Sequence, residues 1–489
     1  MTITDVAPTI EEAPVASTPS TPGRNRVIPI LLVAAFVVIL NETAMNVALT
    51  RIMDDLQITE RLAQWLTTAF MLTMAVVIPT TGWLIERLGT RRAYTTALGL
   101  FSLGTLICLV SPTISLLLAG RVVQASGTAI MMPLLMTTLM QLVEPAHRGR
   151  VMGNVSMVIS VAPAVGPTLS GVLLAVGSWR LIFAVVLPIA LAMLFLGRRG
   201  LTNVAEESGA KLDLWSIPLA VLGFGGAVYG LSLVGDATVP FWEPILAIGI
   251  GGAGLIAFIA RQLVLQRTDS ALLDLRTFTH TSFTLGVGLM ALSMMGLFGT
   301  IITLPLLLQR AFAMTPLQVG LMMLPGGLLM GVLGPIVGRL YDRVGPRVLL
   351  VPALAVVAGV FAALSTLTTA SPWWFVLVCH LTMSAAFAFI FTSLFTTALG
   401  ALPRHLYSYG SASIGTIQQL AGAAGTALFV TVFSMQAQVA RTAGASEAAS
   451  LLAGSHWGFL GAGAVMTAAA ITALFLSKPA DAPEGIAAH

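Results

Sequence analysis

Charge is what this sequence has least of. Only 9% of its 489 residues are Asp, Glu, Lys or Arg, against roughly 25% in a soluble chain, so an ordinary soluble globule is excluded. Lysine is almost missing: Lys211 and Lys478 stand among 24 basic residues that are otherwise arginine, a bias that fits a GC-rich bacterial genome. Cysteine occurs twice, at Cys108 and Cys379, each alone within an apolar run. Neither a disulfide framework nor a metal-ligand spacing is present, and both read as small core residues. Segment 1–26 is rich in Thr, Pro and Ala, carries Glu11 and Glu12, and lacks an apolar stretch. It reads as a disordered cytoplasmic tail rather than a signal peptide, and so does 479–489.

Apolar residues fill the space that charge leaves. The chain is 57% hydrophobic with a mean hydropathy of +0.93. Runs long enough to cross a bilayer as a helix, about 18–25 residues each, fall near 27–50, 62–85, 92–111, 114–141, 150–176, 180–197, 214–235, 242–264, 281–309, 317–341, 346–369, 373–400, 408–436 and 457–477. An all-α polytopic membrane protein with fourteen transmembrane helices is expected. With the N-terminus inside, 18 basic residues fall in inside segments and five outside (Arg51, Arg61, Arg180, Arg310 and Arg441), with Arg121 left within a span. Basic loops stay cytoplasmic, so both termini are expected in the cytoplasm and the protein in the cytoplasmic membrane. The pI of 9.4 reflects that asymmetry, and nucleic acid is not an expected partner.

An internal repeat organises these spans. The loop after the second span reads GWLIERLGTRR (82–92), and the loop after the tenth reads GRLYDRVGPRV (338–348). They share Gly, Leu, an acid, Arg, Gly and Arg in register. The offset of 256 residues exceeds what six helices need, about 200, and the excess matches two additional spans. The chain divides into an N-terminal six-helix bundle (27–200), an inserted transmembrane hairpin with cytoplasmic linkers (201–276) and a C-terminal six-helix bundle (277–478). Paired bundles of this kind rock about a site near the membrane midplane.

The first span carries an expensive interruption, VVILNETAMNVAL (37–49). A charge at the bilayer centre costs at least about 2.5–3.5 kcal/mol. Glu42 and Asn46 are i,i+4 neighbours, as are Asn41 and Met45, and together they form a stripe that must face protein or water. Two readings stand: a carboxyl fixed by hydrogen bonds for helix packing, or a proton carrier that loads and unloads as its hydration changes. In the fourth span Arg121, Gln124 and Thr128 share a face at i, i+3 and i+7. Arg121 needs a carboxylate, carbonyls or water. Glu42 is the only deep carboxyl of the first half and its candidate partner; the alternative is snorkelling to the outer interface. The fifth span contains SVAPAVGPTLSG, with Pro163, Gly166, Pro167 and Gly171. It reads as a kinked packing helix or as a deformable helix lining the interface between the halves.

These residues resemble a family. GWLIERLGTRR is similar to the loop motif G-x-L-a-D-r-x-G-r-k of the major facilitator superfamily, with Glu86 where Asp is usual. RVVQASG resembles its fourth-helix motif R-x-x-q-G, with Arg121 and Gln124 matched and Ala125 in place of Gly. APAVGPTLSG resembles the antiporter motif g-x-x-x-G-P-x-x-G-G, which marks exporters: Gly166, Pro167 and Gly171 match, while Ala162 and Ser170 replace glycines. LNETAMNVAL is similar to the first-helix motif L-D-x-T-v-v-N-V-A-L, with Asn41 at the usual Asp and the acid one residue later at Glu42, a rotation of about 100°. The resemblance covers about 27–477 and points to the fourteen-span drug:proton antiporters. TIQQLAGAAGTAL (416–428) resembles their lincomycin-resistance type, which carries the same shifted acid.

The resemblance implies a proton-coupled exporter of amphiphilic or hydrophobic small molecules, working by alternating access. It also implies a conformational latch made of Gly82, Glu86, Arg87, Gly89 and Arg91, echoed by Gly338, Asp342, Arg343, Gly345 and Arg347. Proton coupling is expected at Glu42 and Arg121. A substrate cavity is expected at Asn41, Met45, Asn46, Gln124, Thr128, Met132, Gln418 and Gln419. Expected partners are the substrate, protons and the lipid bilayer, with the chain monomeric, no metal or cofactor, and the proton gradient as energy source. Methionines at 131, 132, 136, 140, 294, 295, 322 and 323 read mainly as packing, and His380 as a hydrogen-bonded core group before a second proton site. Export of an endogenous lipid or metabolite by the same mechanics is the alternative, and an importer is disfavoured by the antiporter motif. The spans hold no paired histidines, metal-ligand cluster or nucleophile–base arrangement, so no enzyme is expected.

Overall fold

The computed structural model describes residues 24–201, 203, 213–234 and 239–476. The side chains of residues 24–26, Asn46, Glu60, Arg61 and Pro316 lie outside that description, as do the expected tails apart from 24–26.

Inside a bilayer the backbone has no water to bond, so each apolar run must satisfy its own amides as a helix. Twelve stretches of the described residues are long and apolar enough to cross. One of them, Leu62–Val110, is 49 residues long and holds two passes, separated at Gly89, where φ is +69°. Glu447–Ala473, with 27 residues, adds a further pass. Fourteen passes result among the described residues. We label them α1 (Arg24–Leu56), α2 (60–88), α3 (90–110), α4 (Ile114–Leu142), α5 (Arg148–Val176), α6 (Arg180–Gly200) and α7 (216–233). The series continues with α8 (Trp242–Leu265), α9 (Thr281–Arg310), α10 (Pro316–Val344), α11 (Pro346–Ser365), α12 (Trp373–Gly400), α13 (Tyr407–Thr442) and α14 (Glu447–Ala473).

An even number of passes puts the start of α1 and the end of α14 on one side, here called the terminal face. On the opposite face, side chains start the helices. Thr59, Thr113 and Ser446 each accept a backbone N–H at the head of α2, α4 and α14, and Thr315 with Gln318 forms a capping box at the head of α10. Such caps satisfy amides that no preceding turn can reach.

On the terminal face the repeat is visible in the backbone. Gly89 (φ 69°, ψ 167°) and Gly345 (φ 77°, ψ 178°) break the chain in the same way between α2 and α3 and between α10 and α11. That region of φ and ψ belongs almost entirely to glycine, which is why the motif keeps Gly at both places.

The inserted hairpin, α7 and α8, closes on itself through facing small residues. A Cβ at Gly223 or Gly254 would strike the backbone of the other helix. A π-helical turn at Val221–Gly225 interrupts α7. One apolar cluster joins Ala220, Phe224, Val228 and Phe258 of the hairpin to Ala75 of α2 and to Ala412 and Ala423 of α13. The hairpin thus lies over the seam where α2 of the first bundle meets α13 of the second.

Candidate functional site

Two constellations arise from this frame, one inside the first bundle and one between the bundles. The inner one is built on α4. Arg121 is 1% exposed, so the snorkelling alternative is excluded. Its Nη1 donates to Gln124 Oε1 at 2.6 Å and its Nε to the Leu66 carbonyl of α2 at 3.4 Å. Gln124 Nε2 passes the chain on to Thr105 Oγ1 of α3 at 2.8 Å, which donates to the Phe101 carbonyl at 2.6 Å. The guanidinium stacks 4.0 Å from the Phe70 ring centre, a cation–π contact that compensates part of its lost hydration.

Glu42 lies within electrostatic reach of Arg121 but forms no direct ion pair among the described residues. It is partly accessible, whereas its neighbour Asn41 is 1% exposed. On the other side of α1, Gly166 of α5 is pressed against Thr43, and a Cβ there would also meet the Ala44 amide nitrogen at 3.1 Å. α5 is therefore packed directly against α1 beside the acid. α5 stays continuously helical through Pro163 and Pro167, and Gly171 has open space where a Cβ would stand.

The second constellation joins the bundles at the terminal face. Asp342, at the end of α10, accepts the Gly149 amide through Oδ1 at 2.8 Å and the Arg150 amide through Oδ2 at 2.9 Å. These are the first free N–H groups of α5, so the carboxylate caps a helix of the other bundle and meets the positive end of its dipole. Its repeat counterpart Glu86, at the end of α2, accepts the Ser408 hydroxyl at the head of α13 at 2.5 Å. Each bundle thus places one acid on the N-terminus of a helix in the other. Beside them the backbones touch: a Cβ at Gly338 would strike Gly149, and one at Gly82 would sit 2.7 Å from the Tyr409 ring. Arg148 reaches Tyr407 Oη at 2.9 Å, Thr137 Oγ1 reaches Ser411 Oγ at 3.2 Å, and Thr392 Oγ1 donates to Ser156 Oγ at 2.8 Å. All of these contacts lie toward the terminal face.

Of the latch residues expected from sequence, Gly82, Glu86, Gly338 and Asp342 meet the other bundle here. Across the seam the acids bond backbone amides and a hydroxyl, and Arg343 is exposed. Arg91 and Arg347 work inside their own halves. The Arg91 amide donates to Asn203 Oδ1 at 3.1 Å, and Arg347 Nε donates to the Leu476 carbonyl at 3.2 Å. Arg87 is exposed at the end of α2. Asn203, Tyr407, Ser408 and Asp342's amide partners escaped sequence reasoning, because nothing in their local pattern points to a distant partner.

The residues expected to line a cavity divide by their exposure. Asn41, Met45, Gln124 and Thr128 are at most 2% exposed and packed inside the first bundle, so they do not line an open cavity in this conformation. Helical spacing assigned them to a shared face but not to the side that face turns to. Met132, Gln418 and Gln419 are partly accessible, and Gln419 Nε2 reaches Met74 Sδ across the seam at 3.7 Å. The side chain of Asn46 lies outside the described residues. His380 Nε2 lies 3.1 Å from the Met323 carbonyl, in keeping with a bonded core group. Met131, Met136, Met140, Met294 and Met322 are buried packing residues.

Comparison with known proteins adds the following. The family model described as Major Facilitator Superfamily matches residues 31–426. The MFS-type transporter YcnB of Bacillus subtilis (strain 168) is 37% identical over 457 residues, covering 94% of this chain and 96% of its own. The lincomycin resistance protein LmrB of Listeria monocytogenes serovar 1/2a (strain ATCC BAA-679 / EGD-e) is 37% identical over 413 residues, 84% of this chain and 87% of its own. Among solved structures, the human organic anion transporter MFSD10 superposes with a TM-score of 0.68 at 15% identity, over 93% of this chain and 100% of that one. At that identity the likeness concerns the fold alone.

Proposed function

The chain belongs to the Major Facilitator Superfamily as a multi-pass membrane transporter, and on that premise we propose that it exports amphiphilic small molecules, drugs among them, in exchange for protons. The observation that carries the reading is Glu42, an acid inside a span, partly accessible, beside a buried arginine that it does not directly pair with. A purely structural carboxylate in that place would close onto the guanidinium, since an unpaired charge in low dielectric is costly. An acid that must gain and lose a proton has to remain reachable by water.

The basic-residue asymmetry supports a cytoplasmic terminal face. The described conformation is then the one in which the two acids hold the bundles together at the cytoplasmic side. A proton arriving from outside neutralises Glu42, the bundles rock about their seam, and the proton leaves on the inside as substrate is taken up for the outward stroke. Few acids lie deep within the spans, and so small a number of fixed counter-charges favours neutral or monocationic substrates over dications. The name of the Listeria relative makes lincomycin the first compound to test.

Proteoliposomes separate the possibilities. Lincomycin added to vesicles holding a proton gradient should drive proton efflux with the wild type. Glu42→Gln should still bind and exchange substrate but lose at least about tenfold in gradient-driven export, as expected when general acid–base function is removed. Wild-type coupled export by Glu42→Gln would overturn the proposal.

A further inference from the structure

Asn41 is the polar group that the fold leaves least explained. It is 1% exposed, and neither Nδ2 nor Oδ1 has a hydrogen-bond partner among the described residues. Leaving a buried amide unpaired costs about 1–3 kcal/mol for each group, so a position that tolerates two such groups calls for a reason.

Its depth supplies one. Met45, one turn further along α1, shares an apolar cluster with Leu66, Cys108 and Leu117. Helices α1 and α4 run antiparallel. One turn back from Met45 and one turn on from Leu117 therefore move in the same direction, which brings Asn41 to the level of Arg121. The Nε and Nη1 of Arg121 are engaged by Leu66 and Gln124, and a guanidinium has five N–H donors, so donors remain for a further acceptor. Glu42 follows Asn41 directly in the chain and reaches Arg121 electrostatically without touching it. Thr67, next to Leu66, also keeps a buried hydroxyl without a partner among the described residues. A buried water needs two to four polar partners, and this level of the bundle offers them.

We infer that Asn41 holds a bound water between Glu42 and Arg121 and is the positioning residue for proton exchange at Glu42. The inference rests on Glu42 being the proton carrier proposed above. An amide suits the task because it offers both a donor and an acceptor. With Glu42 ionised, the water donates to the carboxylate and accepts from Asn41 Nδ2 and Arg121. When solvent delivers a proton to the carboxyl, the water turns, accepts from the new O–H and donates to Asn41 Oδ1. One proton has moved from solvent to Glu42, and the water keeps a hydrogen bond to both Glu42 and Asn41 in either state. The titratable group facing Glu42 is Arg121 on α4, and Cys108 on α3 faces Arg121 in turn. Along the facing parts of α2, α5 and α6 the described spans contribute none at this level.

The test uses infrared difference spectra of the full-length protein in lipid vesicles, with Glu42→Gln identifying the Glu42 carboxyl band. Asn41→Leu keeps the volume and removes both polar atoms. It should shift the midpoint of the Glu42 band by about one pH unit, the size of one lost hydrogen bond, and remove a water O–H band that moves in H₂¹⁸O. Asn41→Asp, which restores an acceptor, should recover part of the water band, and it keeps the test usable if the leucine variant folds poorly. An unchanged midpoint and an unchanged water band in both variants would overturn the inference. Absence of any titrating Glu42 band in the wild type would instead overturn the proton-carrier reading beneath it.

Discussion

Gly89 illustrates how much one position can determine. Its φ of +69° lies where side chains are strained, and a Cβ would also stand 3.0 Å from the Asn203 side chain. Gly89→Ala should destabilise the α2–α3 turn by about 1–3 kcal/mol and displace Asn203 from the Arg91 amide it accepts. Thermal unfolding in detergent measures the first effect. An alanine variant with wild-type melting would mean that the turn relaxes freely. At the same scale, the first span placed a cost in plain view at Glu42, yet only packing separated the buried Asn41 from the reachable acid beside it.

Among the elements, the inserted hairpin has its own anchor. Arg261 of α8 binds Asp213, ahead of α7, through two bonds of 2.6 Å. Those bonds hold the Asp213 carboxyl down at about 2, below the usual value near 3.9. A carboxyl more acidic in the folded state stabilises it fully above the unfolded pKa and loses that effect as pH falls through the folded one. The anchor should therefore be intact at pH 5 and above and weaken between about pH 4 and 2. Asp213→Asn should make the amides of α7 exchange faster at neutral pH and abolish the further loosening in acid. Hydrogen exchange measured at pH 7 and pH 3 with the intrinsic rate corrected reads both effects. Equal protection of α7 in wild type and variant at pH 7 would remove Asp213 from the account. Gln262 continues the anchor, donating to Ser216 Oγ and accepting the Leu272 amide, both at 2.8 Å.

The whole molecule is a balance between two faces, and Asp342 is one weight in it. Removing its carboxylate in Asp342→Ala forfeits a helix cap worth about 1 kcal/mol, so the population closed at the terminal face should fall about fivefold relative to the open one. Spin labels on Ala146 and Val348, exposed on the two bundles at that face, would report the opening as a longer distance component. Glu86→Gln should act in the same direction. If neither variant lengthens the distance, the capping acids do not hold the bundles together. Orientation is tested separately. A cysteine at Ala443, on the opposite face, should react with an impermeant thiol reagent applied outside cells, and one at Ala146 only after permeabilisation. The two native cysteines are buried and leave the background low.

The apolar runs by themselves determined the all-helical, membrane-spanning class and the number of passes, because a bilayer forces each long run into a helix. The repeated loop announced two related bundles, since a turn that needs glycine at a particular φ can be written in few ways. Partners across space were a different matter. That Glu86 meets Ser408 and Asp342 meets the amides of Gly149 and Arg150 depends on contacts between residues 322 and about 193 positions apart. The same holds for the hairpin lying over the seam of α2 and α13. Helical periodicity tells which side chains share a face, but the direction of that face is decided only when the other helices pack against it. For that reason Asn41, Gln124 and Thr128 turned inward, whereas a reading of the sequence alone turned them toward the substrate.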